Sequence, residues 1–161
     1  MKVKFQMDLN GTAAKAKENK YKSLYMDLAQ RISEMSYAKR LQVGCVIIKN
    51  QNVISFGWNG MPTGWDNNCE DEIQYPDAEG ITLKTKPEVT HAENNAIAKL
   101  AKSTESGDGA VLFVTHAPCL DCAKLVYQSG IRSVFYRSSY RDNFGIEFLQ
   151  KCGVEVTQHD K

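Results

Sequence analysis

Ala110-Val111-Leu112-Phe113-Val114-Thr115-His116-Ala117-Pro118-Cys119-Leu120-Asp121-Cys122-Ala123-Lys124-Leu125-Val126 decides the fold. The first half is a short apolar run rich in β-branched and aromatic residues, which predicts a strand over 110–115. Pro118 then leads into a helix over 120–129 and places Cys119 and Cys122 at its first turn. A strand that turns directly into a helix is the opening of a βαβ unit. The chain downstream continues the alternation, with a strand over 131–136, a helix over 144–151 and a strand over 154–157. Upstream, a helix spans His91 to about Lys102. Alternation of this kind implies an α/β fold in three layers, α/β/α, with helices on both faces of a mixed sheet of about five strands.

The N-terminal half supplies the rest of that sheet. Val43-Gly44-Cys45-Val46-Ile47-Ile48 and Val53-Ile54-Ser55-Phe56-Gly57 are β-rich runs joined by Asn50-Gln51-Asn52, which predicts a hairpin. Before them, Leu24, Tyr25, Leu28, Ile32 and Met35 recur at helical spacing, which predicts an amphipathic helix over Tyr21–Ser36. Residues 1–20 carry few apolar groups and many lysines and are expected to form a loosely held arm ahead of a single domain over 21–161. Residues 60–88 hold three of the four prolines and many acidic side chains without a sustained period. A long loop inside a compact domain usually borders a site.

With 161 residues, the chain suits one domain. Twenty basic against nineteen acidic side chains leave a formal net charge of +1, which gives no global field for gathering a polynucleotide. Neither a signal peptide nor a stretch able to cross a bilayer is read, so a cytoplasmic protein is expected, in the host cytoplasm if the source is viral. Five cysteines are an odd number in a chain read as intracellular, which argues against a disulfide framework.

His91-Ala92-Glu93 and Pro118-Cys119-Leu120-Asp121-Cys122 carry the chemistry. One imidazole and two thiols make three zinc ligands, and catalytic zinc keeps three protein ligands with a fourth position open, whereas structural zinc is normally closed by four. The helix start favours thiolates at Cys119 and Cys122. Glu93, two residues beyond His91, sits beside the ligands as a candidate general acid and base. A lone Cys-x-x-Cys would leave a buried thiol pair or a redox centre in contention, and the upstream His-Ala-Glu reduces the weight of both. His-x-Glu followed by Pro-Cys-x-x-Cys is the signature of zinc nucleobase deaminases.

Several further blocks, in order, make the chain resemble the bacterial and phage deoxycytidylate deaminases within the zinc-dependent cytidine and deoxycytidylate deaminase family. They are Arg40-Leu41-Gln42-Val43-Gly44, Trp58-Asn59-Gly60, His91 through Ile97, Thr115 through Lys124, Gln128-Ser129-Gly130-Ile131 and Tyr140. The resemblance implies a cytidine deaminase-like fold, a Zn²⁺ cofactor and hydrolysis of dCMP to dUMP and ammonia, a precursor step for thymidylate synthesis. It assigns catalysis to Glu93, metal binding to His91, Cys119 and Cys122, and substrate contacts to Arg40 at the 5′-phosphate, Asn59 at the deoxyribose, Ala92, and Tyr140 at the nucleotide rim. It also implies a homo-oligomer, a hexamer in relatives, with dCTP and dTTP as effectors. Activity on dCTP stays open.

There are departures from the family pattern. Cys45 stands where relatives carry a small residue, and Cys69 alone is available in the 60–88 loop for a second, structural zinc. His116 and His159 read as ordinary polar residues. The competing enzyme readings are a deaminase of free cytidine or deoxycytidine, or of a base in RNA. Arg40 and the small net charge weigh against both. An inactive zinc scaffold is the alternative outside enzymes, and Glu93 weighs against it, because metal closure alone requires no adjacent carboxylate.

Overall fold

A computed structural model describes residues 2–160, with side chains described from Gly11 onward. Eleven elements follow in order: α1 (Lys2–Ser33), β1 (Gly44–Lys49), β2 (Asn52–Trp58), β3 (Glu70–Ile73), β4 (Thr82–Thr85), α2 (Ala92–Leu100), β5 (Val111–His116), α3 (Leu120–Gln128), β6 (Ser133–Ser138), α4 (Phe144–Lys151) and β7 (Glu155–Gln158). Five strands form one sheet in the order β2-β1-β5-β6-β7. β1 pairs antiparallel with β2 and β5, while β6 pairs parallel with β5 and β7. The mixed α/β/α architecture expected from the sequence is the one observed.

Alternation along β1 and β5 explains the layers. Cys45 and Ile47 of β1, with Leu112 and Val114 of β5, face one core, which α2, α3 and α4 close through Ala92, Ala96, Ala123, Val126 and Leu149. Val46 and Ile48, with Phe113, face the opposite side and meet Tyr25, Met26 and Ala29 of α1. A central strand buried on both faces reads as a continuous apolar run, as Val43–Ile48 does. In the β1–β2 hairpin, Lys49 pairs with Asn52, and Asn50 and Gln51 both have positive φ (50° and 63°). This is the left-handed backbone that matches a two-residue hairpin to strand twist. No helix among the described residues is long and apolar enough to cross a membrane.

Two boundaries differ from the sequence reading. α1 begins far before Tyr21, and residues 11–20 are an exposed helical extension. Alanine and lysine in Ala13-Ala14-Lys15-Ala16-Lys17 favour a helix even without an apolar face to bury, which is why periodicity missed it. The 60–88 loop also contains the β3–β4 hairpin, whose strands are only four residues long, the first of them acidic, and so do not announce themselves.

Close backbone approach seats α2 on the sheet. A Cβ at Gly57 of β2 would lie 2.3 Å from the Ala92 carbonyl oxygen and 2.7 Å from the Ala96 nitrogen. Neither backbone atom can move aside without shifting the helix. Gly57→Ala should therefore destabilise the protein by about 1–3 kcal/mol, measured by urea unfolding, and should loosen the helix that begins at His91.

Candidate active site

The N-termini of α2 and α3 converge. His91 is the residue that caps α2 and Cys119 the residue that caps α3, both in extended backbone conformation, and neither side chain caps its own helix. Their side chains are thereby free to turn toward each other. His91 Nδ1 lies 3.6 Å from Cys119 Sγ and 3.3 Å from Cys122 Sγ, and the three ligand atoms sit within 4.8 Å of one another.

These distances fit a metal. With Zn–S of about 2.3 Å and Zn–N of about 2.0–2.1 Å, a tetrahedral site separates nitrogen from sulfur by about 3.6 Å. The donor set, one imidazole and two thiols at two helix starts, is borderline-soft and suits zinc. Three protein donors leave one tetrahedral position for a further ligand.

The electrostatics follow from the same crowding. Hydrogen bonds from Cys122 and His91 bring the Cys119 thiol down to about 4, so it holds the negative charge of the pair. Cys122 is pushed up by that neighbour and by burial, a direction that a coordinated dication reverses, because a thiol bound to a metal is deprotonated outright. His91 is raised chiefly by its hydrogen bond to Cys119. Burial raises the Glu93 carboxyl, which is 4% exposed and two residues from His91. A carboxyl whose proton affinity is raised in this way suits a group that both takes and returns protons.

A cavity of about 410 Å³ opens over this cluster, within the range of about 300–1,000 Å³ usual for small-molecule sites. The structure brings to it all the residues named from the sequence except Cys122, which lies buried behind the wall. Arg40 is exposed and donates from Nη1 to Thr85 Oγ1 at 2.9 Å. Tyr140 lies under the Arg141 guanidinium, 5.6 Å from ring centroid to Cζ, and Arg141 also lines the cavity.

Asn59 does more than sequence reasoning foresaw. Its Oδ1 accepts from the Val43 amide and its Nδ2 donates to the Leu41 carbonyl, both at 2.8 Å. Ser36 Oγ adds a bond to the Asn59 carbonyl at 2.7 Å. The residue straps the loop that carries Arg40 and keeps one N–H for the cavity. That spare donor follows from the amide having two hydrogens.

His116 also lines the cavity, against the reading of an ordinary polar residue. Thr115 Oγ1, which accepts from the Gly44 amide at 3.2 Å, lies 3.1 Å from His116 Nδ1. The arrangement that leaves no buried hydroxyl unpaired has Thr115 donate to Nδ1, so Nε2 carries the imidazole hydrogen. Its position at the end of β5, beside the Pro-Cys turn, was the available signal. Cys69 packs in a small apolar cluster with Ala38, Val89 and Met61. Among the described residues, His91, Cys119 and Cys122 form the one group placed to hold a metal.

Comparison with known proteins agrees with this geometry. The family model for the cytidine and deoxycytidylate deaminase zinc-binding region matches residues 19–138. Among solved structures, the chain is similar to the dCMP deaminase of cyanophage S-TIM5, determined in complex with dCMP and dUMP. The identity is 44% and the TM-score 0.76, over 86% of this chain and 96% of that one. The deoxycytidylate deaminase of Enterobacteria phage T4 is 31% identical over 83% of this chain and 87% of its own length. ComE operon protein 2 of Bacillus subtilis is 33% identical, over 83% of this chain and 68% of its own.

The ligand set makes a direct prediction. Elemental analysis should find one zinc per chain, and Cys119→Ala or Cys122→Ala should bring it close to none, while Cys69→Ala should retain it. Zinc retained in the Cys119 variant would place the metal elsewhere.

Proposed function

The chain belongs to the cytidine and deoxycytidylate deaminase family, and we propose that it hydrolyses dCMP to dUMP and ammonia, with zinc held by His91, Cys119 and Cys122 and Glu93 as the proton carrier. One observation carries this reading: a three-ligand metal cluster with a buried carboxylate beside it forms one wall of a nucleotide-sized cavity that Arg40 and Arg141 also line. Relatives that bear the name deoxycytidylate deaminase support the choice of substrate.

The chemistry divides between the metal and the side chains. When bound, zinc supplies Lewis acidity that makes a water acidic enough to lose a proton near neutral pH. Glu93 takes that proton and passes it to ring N3 as the water oxygen bonds to C4. It then moves the second proton, from the hydroxyl now on C4, to the amine. The C4–N4 bond breaks as the C4 carbonyl forms, and ammonia leaves. The small Ala92 between His91 and Glu93 is fully buried and lines the cavity, which leaves room for the flat base. Arg40 offers a planar fork to the 5′-phosphate, with Thr85 Oγ1 accepting from one arm of the guanidinium. Tyr140 borders the nucleotide, and the spare N–H of Asn59 is available to the sugar.

The same reading includes a homo-oligomer, with dCTP and dTTP as effectors. Exposed Leu125 and Tyr127 of α3 and Phe144 of the packed neighbour α4 support an interface.

Substrate comparison tests the proposal. Turnover should favour dCMP over deoxycytidine, CMP, dCTP and an oligonucleotide, and a preference for the oligonucleotide would overturn it. Glu93→Gln should keep zinc while losing roughly 10²–10⁴-fold in kcat. Arg40→Ala should lose about ten- to a hundred-fold in kcat/KM on dCMP and leave deoxycytidine nearly unchanged, a selective loss that a purely structural arginine would not give.

A further inference from the structure

A basic surface and an acidic one lie at opposite ends of the sheet. Residues 11–20 of α1 are exposed on every side, and 11–22 hold four lysines against one glutamate. Among the described residues Lys22 pairs with Glu18, while Lys15, Lys17 and Lys20 enter no ion pair. A helix that packs on nothing is marginal in water and gains from a partner. Beside it runs a groove of about 490 Å³, in which Lys17, Tyr21, Lys22 and Tyr25 of α1 face Phe113 and Phe135 of the sheet. Its floor is a run of rings: Tyr21, Tyr25, Phe113 and Phe135 stand 5.8, 5.3 and 4.9 Å apart in that order, centroid to centroid. Of the two carboxylates that line it, Glu18 is neutralised by Lys22 and Glu155 accepts from the Ser133 hydroxyl at 3.1 Å.

The acidic surface is the β3–β4 hairpin and its approach. Trp65–Ile81 carry six acids and no basic residue. Glu70 is buried, lines the active-site cavity and accepts from the Lys39 and Arg40 amides at 2.9 and 3.1 Å, whereas Asp66, Asp71, Glu72, Asp77 and Glu79 are exposed. Between Ile73 and Thr82 the hairpin turns at Tyr75, whose carbonyl accepts from the Ala78 amide at 3.2 Å. The Tyr75 side chain is 51% exposed. An aromatic side chain on a turn among acids complements an aromatic groove beside lysines. No residue of 60–88 lines that groove, which lies where β6 begins, at Ser133, while the base of the hairpin borders the cavity where β6 ends, beside Ser139. The match is therefore between copies. We propose that the hairpin tip of one copy docks in the α1 groove of a second, with Tyr75 entering over the rings and Glu72, Asp77 and Glu79 meeting Lys15, Lys17 and Lys20. Knob and socket are different parts of the chain, so the contact is head-to-tail and closes a ring or extends a row of copies. Because Glu70 at the hairpin base holds the loop of Arg40, docking the tip steadies one wall of the active-site cavity.

Charge reversal on the zinc-loaded, full-length chain, read as mass by sedimentation, tests this. The unaltered protein should associate at low salt, and its dissociation constant should rise at least about tenfold between about 50 and about 500 mM NaCl. Tyr75→Ala should weaken association by at least about tenfold, and Tyr75→Phe should keep it. Lys15→Glu, Lys17→Glu and Lys20→Glu together should weaken it by at least about 10²-fold, and so should Glu72→Lys, Asp77→Lys and Glu79→Lys together. An equal mixture of the two reversed proteins should recover the mass of the unaltered one, because each offers the charge the other lacks. All six changes in one chain should recover it too, which damage to the fold would not allow. A mass that either reversal or Tyr75→Ala leaves unchanged overturns the proposal, and that is the result if copies meet through α3 and α4 alone. Reversed proteins that stay apart when mixed overturn it as well. So does unaltered protein that remains a single chain at low salt, including one whose α1 lysines take up a single-stranded oligonucleotide instead.

Discussion

Everything in the site depends on two helices starting at the same place. α2 follows the long 60–88 segment and α3 follows β5, yet the imidazole at one start and the thiols at the other come within 4.8 Å. Each helix start brings unpaired amides and a partial positive charge, which favour thiolates. Sheet and helices are built to fix this meeting. Small residues let the pieces approach closely: Gly57 admits α2, and a Cβ at Gly145 of α4 would lie 2.1 Å from the Pro118 carbonyl, next to the ligand Cys119.

The rest of the cavity is assembled by polar anchoring. Loop 36–43 has no regular structure to satisfy its backbone, so Asn59, Ser36 and Glu70 do so with side chains. Buried polar groups of this kind must be paired, and pairing makes the loop rigid. On the proposed reading, in which Arg40 grips the substrate phosphate, this rigidity matters because a fork of donors recognises phosphate only when it is held in register. On that reading the polar strap links fold stability to substrate positioning.

The alternation from His91 onward was legible in the sequence because its elements are regular: Ala92, Ala96 and Leu100 mark one buried helix face, and Val111–Thr115 one buried strand. The clustering of His91, Cys119 and Cys122 was legible because metal-binding chemistry needs rare residue types at fixed spacing. Glu70 was not, since an acidic residue in an irregular, acid-rich loop looks like any solvated charge until the structure buries it. The same holds for His116, whose meaning depends on Thr115 turning inward beside it. For Asn59 the resemblance offers only a sugar contact. The residue's larger structural part lies in bonds to Leu41 and Val43, which no local pattern announces.

The central claim is hydrolysis at C4 of the base by a water activated at the His91, Cys119 and Cys122 cluster. The most direct measurement is turnover of dCMP in ¹⁸O-labelled water, followed by mass spectrometry of the nucleotide product with zinc-loaded and metal-stripped protein side by side. The expected result is dUMP carrying a single ¹⁸O on the base, with ammonia released in equal amount, only where zinc is present. Unlabelled product, label on the sugar or phosphate, or equal turnover without metal would contradict it.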